Sequence, residues 1–230
     1  MLDSIQLPMN HSRNMYILRA ATSPVIETLV KFFVVFFVVV DPISLIPLFA
    51  GLTQGAGNRY KKKMAGKSAL IALLICVLFA LVGARFLDIM GISLSAFRIA
   101  GGTLLFLIAL DMVFARPSGT RSTSTEQEEA KKREDISVFP LAFPFIAGPG
   151  ALATILLTAG EVGPRPLLFA GFLCVVALVL MVCWVLMLAT PPLMKVLGVT
   201  GANVVSRLSG VILAALAVQF IVDGIRGSFL

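Results

Sequence analysis

The sequence predicts an all-α polytopic membrane protein: six transmembrane helices in two inverted three-helix repeats, with helices one and four broken. Three observations predict it. Of 230 residues, 58% are hydrophobic and only 13% charged, and mean hydropathy is +0.98. So few charges cannot cover a soluble domain of this length. Six apolar stretches each have at least the roughly 17 residues that a membrane-spanning helix needs. Finally, two of them carry matching proline breaks, at Asp41-Pro42 and at Gly148-Pro149-Gly150, with Pro149 at a sequence offset of 107 from Pro42.

The first span is predicted over 24–53, with Ser23 as N-cap and Pro24 at the first helical position. Asp41-Pro42-Ile43-Ser44-Leu45-Ile46-Pro47 interrupts it. The second covers about 68–84, charge-free between Lys67 and Arg85, and the third about 89–115, with Arg98 and Asp111 inside. The segment 116–135 is dense in Ser, Thr, Lys and Glu and reads as a polar cytoplasmic linker. The fourth span covers about 136–160 and carries Pro140, Pro144 and Pro149. The fifth covers about 166–190 and is expected to stop at Pro191-Pro192; the sixth covers about 199–225, with Arg207 and Asp223 inside. Proline removes a backbone donor and clashes with the preceding turn, so each proline-bearing stretch should bend or break.

The chain divides into a tail 1–23, a first repeat 24–115, the linker, and a second repeat 136–230. Arg98-Ile99-Ala100-Gly101 aligns with Arg207-Leu208-Ser209-Gly210 at an offset of 109, close to the 107 between the breaks. Near-equal offsets imply a duplication. Three spans per half is odd, so the second half must cross the membrane the other way up, as in many secondary transporters.

The net charge of +7 sits in loops between spans rather than on a face interleaved with aromatics. The partner it implies is a lipid bilayer, not a nucleic acid. The loops after spans one, three and five carry 12 of the 19 Lys and Arg: Arg59, Lys61, Lys62, Lys63, Lys67, Arg116, Arg121, Lys131, Lys132, Arg133, Lys195 and Arg207. The positive-inside bias then puts both termini outside the cytoplasm. The tail, with its single histidine His11, lacks the apolar core of a cleaved signal peptide. Cys76, Cys174 and Cys183 fall within apolar spans without metal-ligand spacing and read as small buried side chains.

Asp41 lies near the middle of span one, where an acidic side chain is costly and points to function. It is equally placed to N-cap a half-helix opening at Pro42. In inverted halves, half-helices 42–53 and 149–160 would both present their partly positive N-termini to the bilayer centre. Such ends suit a small carboxylate, and Asp41 would balance an ammonium of the same molecule. A small zwitterion is the ligand these electrostatics favour. Gly148 and Gly150 permit close approach to backbone, or serve helix packing. The candidate substrate contacts are therefore Asp41, Pro42, Ser44, Gly148, Pro149, Gly150 and Thr154. Arg98 and Arg207 open the third span of each half; they snorkel to headgroups, or gate by pairing with Asp41, Asp111 or Asp223. Ser44, Thr154 and Gln219 either bond a substrate or bond back to their own helices.

The motif Asp41-Pro42-Ile43-Ser44, followed by Ile46-Pro47-Leu48-Phe49, resembles the Asn/Asp-Pro-x-Gly/Ser…Pro-x-Phe signature of the MarC family of bacterial inner-membrane proteins. Arg98-Ile99-Ala100-Gly101-Gly102 is similar to that family's third span, and Pro140-Leu141-Ala142, Pro144 and Ala147-Gly148-Pro149-Gly150-Ala151 to its fourth. Arg207-Leu208-Ser209-Gly210 and Asp223-Gly224-Ile225-Arg226 resemble its sixth. The likeness runs from about 25 to 226. It implies six helices in two inverted halves, an inner-membrane location, and a group associated with transport of small neutral amino acids. The signature also admits Asn at position 41, so it does not require the charge of Asp41.

The expected function is secondary transport of small neutral amino acids, coupled to a proton or sodium gradient or exporting down a gradient. A homo-oligomer is compatible with this. No phosphate-binding loop for ATP is present. An exporter or channel for another small metabolite is the alternative. An intramembrane enzyme fits less well: no His/Glu metal motif is present, and Gly148 stands where a facing partner for Asp41 would be needed. No cofactor, metal or catalytic group is expected.

Overall fold

The computed structural model describes residues 24–114, 135–163 and 165–229. The tail 1–23 with its Ser23 cap, and the linker apart from Asp135, lie outside them. The chain is an all-α polytopic membrane protein. Its described helices are α1 (Pro24–Val40), α2 (Leu45–Leu52), α3 (Asn58–Ile89), α4 (Leu94–Phe114), α5 (Pro149–Val162), α6 (Pro166–Leu188) and α7 (Thr190–Phe229). Five spans are long and apolar enough to cross a membrane, and a bent pair, Ser137–Ile146 with Pro149–Val162, makes a sixth.

Span one breaks where the prolines require, with α1 ending at Val40 and α2 starting at Leu45. The two pieces still form one span, Ile26–Leu52. Span four departs further from expectation. It bends by 57° at Gly148, and its first part is not a regular helix. Phe139 (φ −124°, ψ 126°) and Phe143 (φ −132°, ψ 131°) are extended within Ser137–Ile146. Each precedes a proline, which disfavours helical geometry in the residue before it. Wide backbone bonds close the segment, Leu141 N to Ile136 O at 3.3 Å and Ala147 N to Ala142 O at 2.8 Å.

Two boundaries also differ from expectation. Lys61, Lys62, Lys63 and Lys67 lie in the first turns of α3 rather than in a loop. Lysine is a good helix former, and nothing after Gly57 breaks the run. At 32 residues and about 48 Å, α3 is longer than the hydrocarbon layer. Pro191-Pro192 does not simply stop span five. It forms the first turn of α7, where proline's missing N–H is no loss. The kink in α7 lies at Gly198 (φ 61°, ψ −178°), so the final span effectively starts where the sequence placed it.

At the centre lies α5, in which every residue from Gly150 to Leu157 is buried. Small residues let its neighbours approach. Leu156 fills the space that a side chain at Gly83 of α3 would occupy, and Ala153 lies 3.3 Å from the corresponding position at Gly101 of α4. The same device joins α4 to α7. Side chains at Gly102, Gly210 and Gly224 would meet Ala217 O at 2.8 Å, Met112 Cβ at 2.8 Å and Ile99 Cγ1 at 2.7 Å. Numbering rises along one helix as it falls along the other, so the third spans of the two halves pack antiparallel.

These contacts fix which ends of the helices share a face. Lys67 of α3 pairs with Asp135, just before the fourth span; this is the basic face. The opposite face gathers Leu29 near the start of α1 against Gly171 of α6, and Ser95 of α4 against Gly227 near the end of α7. The first and last helices therefore have their outer ends on one face. Four glycines adopt positive φ among the described residues, Gly55, Gly91, Gly163 and Gly198. They fall into two pairs at nearly the same sequence offset as the proline breaks: Gly55 with Gly163, and Gly91 with Gly198.

Candidate functional site

Asp41 is only 3% exposed, and is the one buried carboxyl among the described residues. Its backbone does not take the extended form of an ordinary N-cap. It ends α1 in the left-handed region (φ 51°), which Asp enters more readily than most residues. Its amide continues the helix ladder to Phe37 O at 3.0 Å. The expected cap therefore survives only in loose form, with Ser44 N 3.4 Å from Asp41 Oδ1. The other oxygen is better held, since Ser206 Oγ of α7 donates to Asp41 Oδ2 at 3.1 Å. Burying an acidic group requires such partners. The first half thus places the carboxyl and the second half supplies its donor. Sequence reasoning misses Ser206; its one visible signal is its place beside Arg207.

At the other break, Gly148 is the N-cap of α5 in extended conformation (φ −73°, ψ 173°), with Pro149 following as expected of a proline opening a helix. A side chain at Gly148 would come within 2.3 Å of Pro144 O, so two stretches of backbone touch there. Gly150 is enclosed differently. The space for its side chain is taken by Ile108 Cδ1 at 2.9 Å, Leu105 Cδ2 at 3.0 Å and Val39 Cγ1 at 3.3 Å. Val39 lies just before Asp41, so the end of α1 packs on the start of α5. The crevice at that junction measures about 10 Å³, room for about one water molecule. Thr154 is fully buried, and its hydroxyl bonds back to Gly150 O at 2.9 Å.

A larger cavity, about 420 Å³, opens towards the basic face. The end of α2 supplies Phe49, the turn after it supplies Thr53 and Gln54, the start of α3 supplies Lys61 and Lys62, and α7 supplies Thr190. The Thr53 and Thr190 hydroxyls are spent on their own helices, at Phe49 O (2.6 Å) and Leu186 O (3.1 Å). The charged groups lining the cavity are both cationic.

Among the expected gating residues, Arg98 pairs with none of the aspartates considered for it. Its Nη2 lies 2.6 Å from Glu161 Oε1, in the last turn of α5. Arg98 Nε is buried without a hydrogen-bond partner among the described residues. Arg207 is exposed on α7. Asp223 accepts a hydrogen bond from Gln219 Nε2 at 2.9 Å, one turn away. Of the cysteines, Cys76 and Cys183 are buried as expected, whereas Cys174 is exposed on the outer surface of α6.

Comparison with known proteins agrees with the motifs. Residues 26–229 match the family described as MarC family integral membrane protein. The UPF0056 membrane protein YhcE of Escherichia coli (strain K12) is 38% identical over 201 residues, covering 86% of this chain and 92% of that protein. The UPF0056 membrane protein YvbG of Bacillus subtilis (strain 168) is 35% identical over 203 residues, covering 87% and 95%. An archaeal relative, the UPF0056 membrane protein of Archaeoglobus fulgidus, is 32% identical over 195 residues, covering 84% and 90%. No solved structure matches the chain significantly. With its family match running from α1 to the end of α7, the chain belongs to the MarC family of integral membrane proteins.

Proposed function

We propose that the protein is a secondary transporter of small neutral amino acids in the bacterial inner membrane. Its two halves are inverted repeats, and both termini lie on the periplasmic side. The observation that carries this reading is the Asp41 carboxyl, buried at a helix break and held by Ser206 from the other half. A buried acidic group at an interrupted membrane helix is costly unless it is used. The substrate ammonium approaches Asp41, and its carboxylate approaches the start of α5 at Gly148, Pro149 and Gly150. Pro42 shapes the break, Ser44 completes the turn, and Thr154 offers a hydroxyl if its bond to Gly150 O opens. The crevice at the start of α5 has room for about one water, and in this reading the substrate enters through the 420 Å³ cavity on the basic face. Arg98, Arg207 and Asp223 act in gating, and Asp41 links substrate to a proton or sodium ion.

A second reading, export or channelling of another small carboxylate-bearing metabolite, draws on Lys61 and Lys62, the charged residues lining that cavity. Proteoliposome uptake separates the two. Labelled glycine or alanine should accumulate when a proton or sodium gradient is imposed. Flux of carboxylates lacking an amino group, with none of glycine or alanine, would favour the second reading.

A further inference from the structure

We propose that Arg98–Glu161 and Arg207–Gln54 are alternating closures of one pathway, the first pair shutting the face opposite the basic one and the second shutting the basic face. This rests on the transport reading above and adds Glu161 and Gln54 as gating residues. Arg98, near the start of α4, reaches Glu161 at the end of α5. At the other face a cavity of about 420 Å³ stands open, with Gln54 in its wall. The repeat relates the two sets. Arg207 is the counterpart of Arg98 at an offset of 109, and Glu161 the counterpart of Gln54 at an offset of 107. The positive-φ glycines follow the same spacing: Gly55 comes directly after Gln54, and Gly163 just beyond Glu161.

The pairs are in opposite states. Arg98 and Glu161 are joined at 2.6 Å. Gln54 and Arg207 are both exposed, and neither side chain bonds another described residue. A molecule closed at one face by one pair, and open at the other where the corresponding residues stand apart, is one half of an alternating cycle. In the other half, Arg207 reaches Gln54 while Arg98 and Glu161 separate. The closures are unequal by sequence. A carboxylate forms a charge-assisted bond to arginine, and an amide forms a weaker one. Glu161 therefore biases this chain towards the arrangement seen here, open at the basic face. The unpartnered Arg98 Nε keeps that closure short of a permanent lock.

The test uses the full chain in proteoliposomes with Cys174→Ser and one reporter cysteine. Ala50→Cys reports the cavity, and Leu157→Cys, at the corresponding place in the second half, reports the opposite side. The probe is a small cationic, membrane-impermeant thiol reagent. Gln54→Glu should slow labelling at Ala50→Cys about two- to fivefold, the range of a partly exposed ion pair. Adding Arg207→Gln should restore the parental rate. Glu161→Gln should speed labelling at Leu157→Cys by a similar factor. If Leu157→Cys does not fold, half-buried Thr158→Cys carries the same readout. Simple attraction of a cationic reagent to a carboxylate predicts the reverse sign in both experiments. Rates that stay flat or move in that reverse sense, with amino-acid uptake intact, overturn the alternating closures and leave transport standing. Labelling shifts in the expected sense without amino-acid uptake support the closures and overturn the substrate assignment alone.

Discussion

Ser206 donates a hydrogen bond to Asp41 at 3.1 Å across 165 residues of sequence. The bond ties the break in the first span to the last span, and it anchors a carboxyl that the hydrocarbon interior would otherwise penalise. Ser206→Ala should leave Asp41 Oδ2 without its donor and lower stability by about 1–3 kcal/mol. Asp41→Asn with Ser206→Ala should cost less than the sum of the single changes, because the two share one interaction. Thermal unfolding in detergent measures this. Strict additivity would show that the pair contributes nothing.

The glycines at the breaks predict an order of severity. Gly148→Ala sets a methyl group against backbone oxygen at 2.3 Å and should abolish folded protein. Gly150→Ala meets the side-chain ends of Ile108 and Leu105 and the Val39 methyl, and should cost about 1–3 kcal/mol. Gly150→Val should cost more, so lost transport there would report packing as much as a blocked site. Recovery of monodisperse protein from membranes gives the ranking. Equal recovery of Gly148→Ala and the parent would contradict it.

Close packing of α4 on α7 is tested at Gly102, where an added methyl meets Ala217 O at 2.8 Å. Gly102→Ala should destabilise by about 1–3 kcal/mol. Gly51→Ala in α2 meets nothing within 4 Å and should be neutral or mildly stabilising through helix propensity. Comparable melting shifts for the two would mean that the antiparallel contact is not tight.

At the basic face, Asp135 is held well below the ordinary carboxylate range by its bond from Lys67, then by the Ser137 hydroxyl and amide. A depressed folded pKa stabilises above the unfolded value of about 3.9 and loses that contribution as pH falls through the folded one. Asp135 and Lys67 are each 44% exposed, so the pair is worth only about 0–1 kcal/mol. Asp135→Asn should melt slightly lower than the parent at pH 7, with the gap narrowing below about pH 4. A gap that widens in acid would have the wrong sign.

The two breaks were legible because proline and glycine act through local backbone chemistry. The membrane class was legible because composition alone limits how few charges a soluble surface can carry. The irregular Ser137–Ile146 segment was legible only in part. Pro140 and Pro144 announced a disturbance, but the extended backbone at Phe139 and Phe143 depends on bonds closed over several residues. Asp41 was visible as a misplaced charge, whereas Ser206 was not, because a serine in a membrane helix usually bonds its own turn. Arg98 likewise could not be assigned a partner. Glu161 sits at the end of another span, and the 57° bend that fixes where α5 ends is a tertiary outcome. By charge the Lys61 to Lys63 cluster reads as a loop, whereas lysine's helix propensity carries it into α3.

The most direct measurement of the central claim is uptake of labelled glycine and alanine by proteoliposomes carrying the parent protein, Asp41→Asn or Asp41→Leu, at equal insertion and over a range of pH. The parent should show saturable uptake that responds to an imposed proton or sodium gradient. Asp41→Asn tolerates the same left-handed backbone and keeps an oxygen for Ser206 but loses the charge, so it should remain folded and transport at least about tenfold more slowly, the factor for about 1.4 kcal/mol of lost ammonium recognition. Asp41→Leu should lose both fold stability and transport. Uptake no greater than in empty liposomes, or uptake and pH dependence unchanged in Asp41→Asn, would contradict the account and leave Asp41 as a structural link to Ser206 alone.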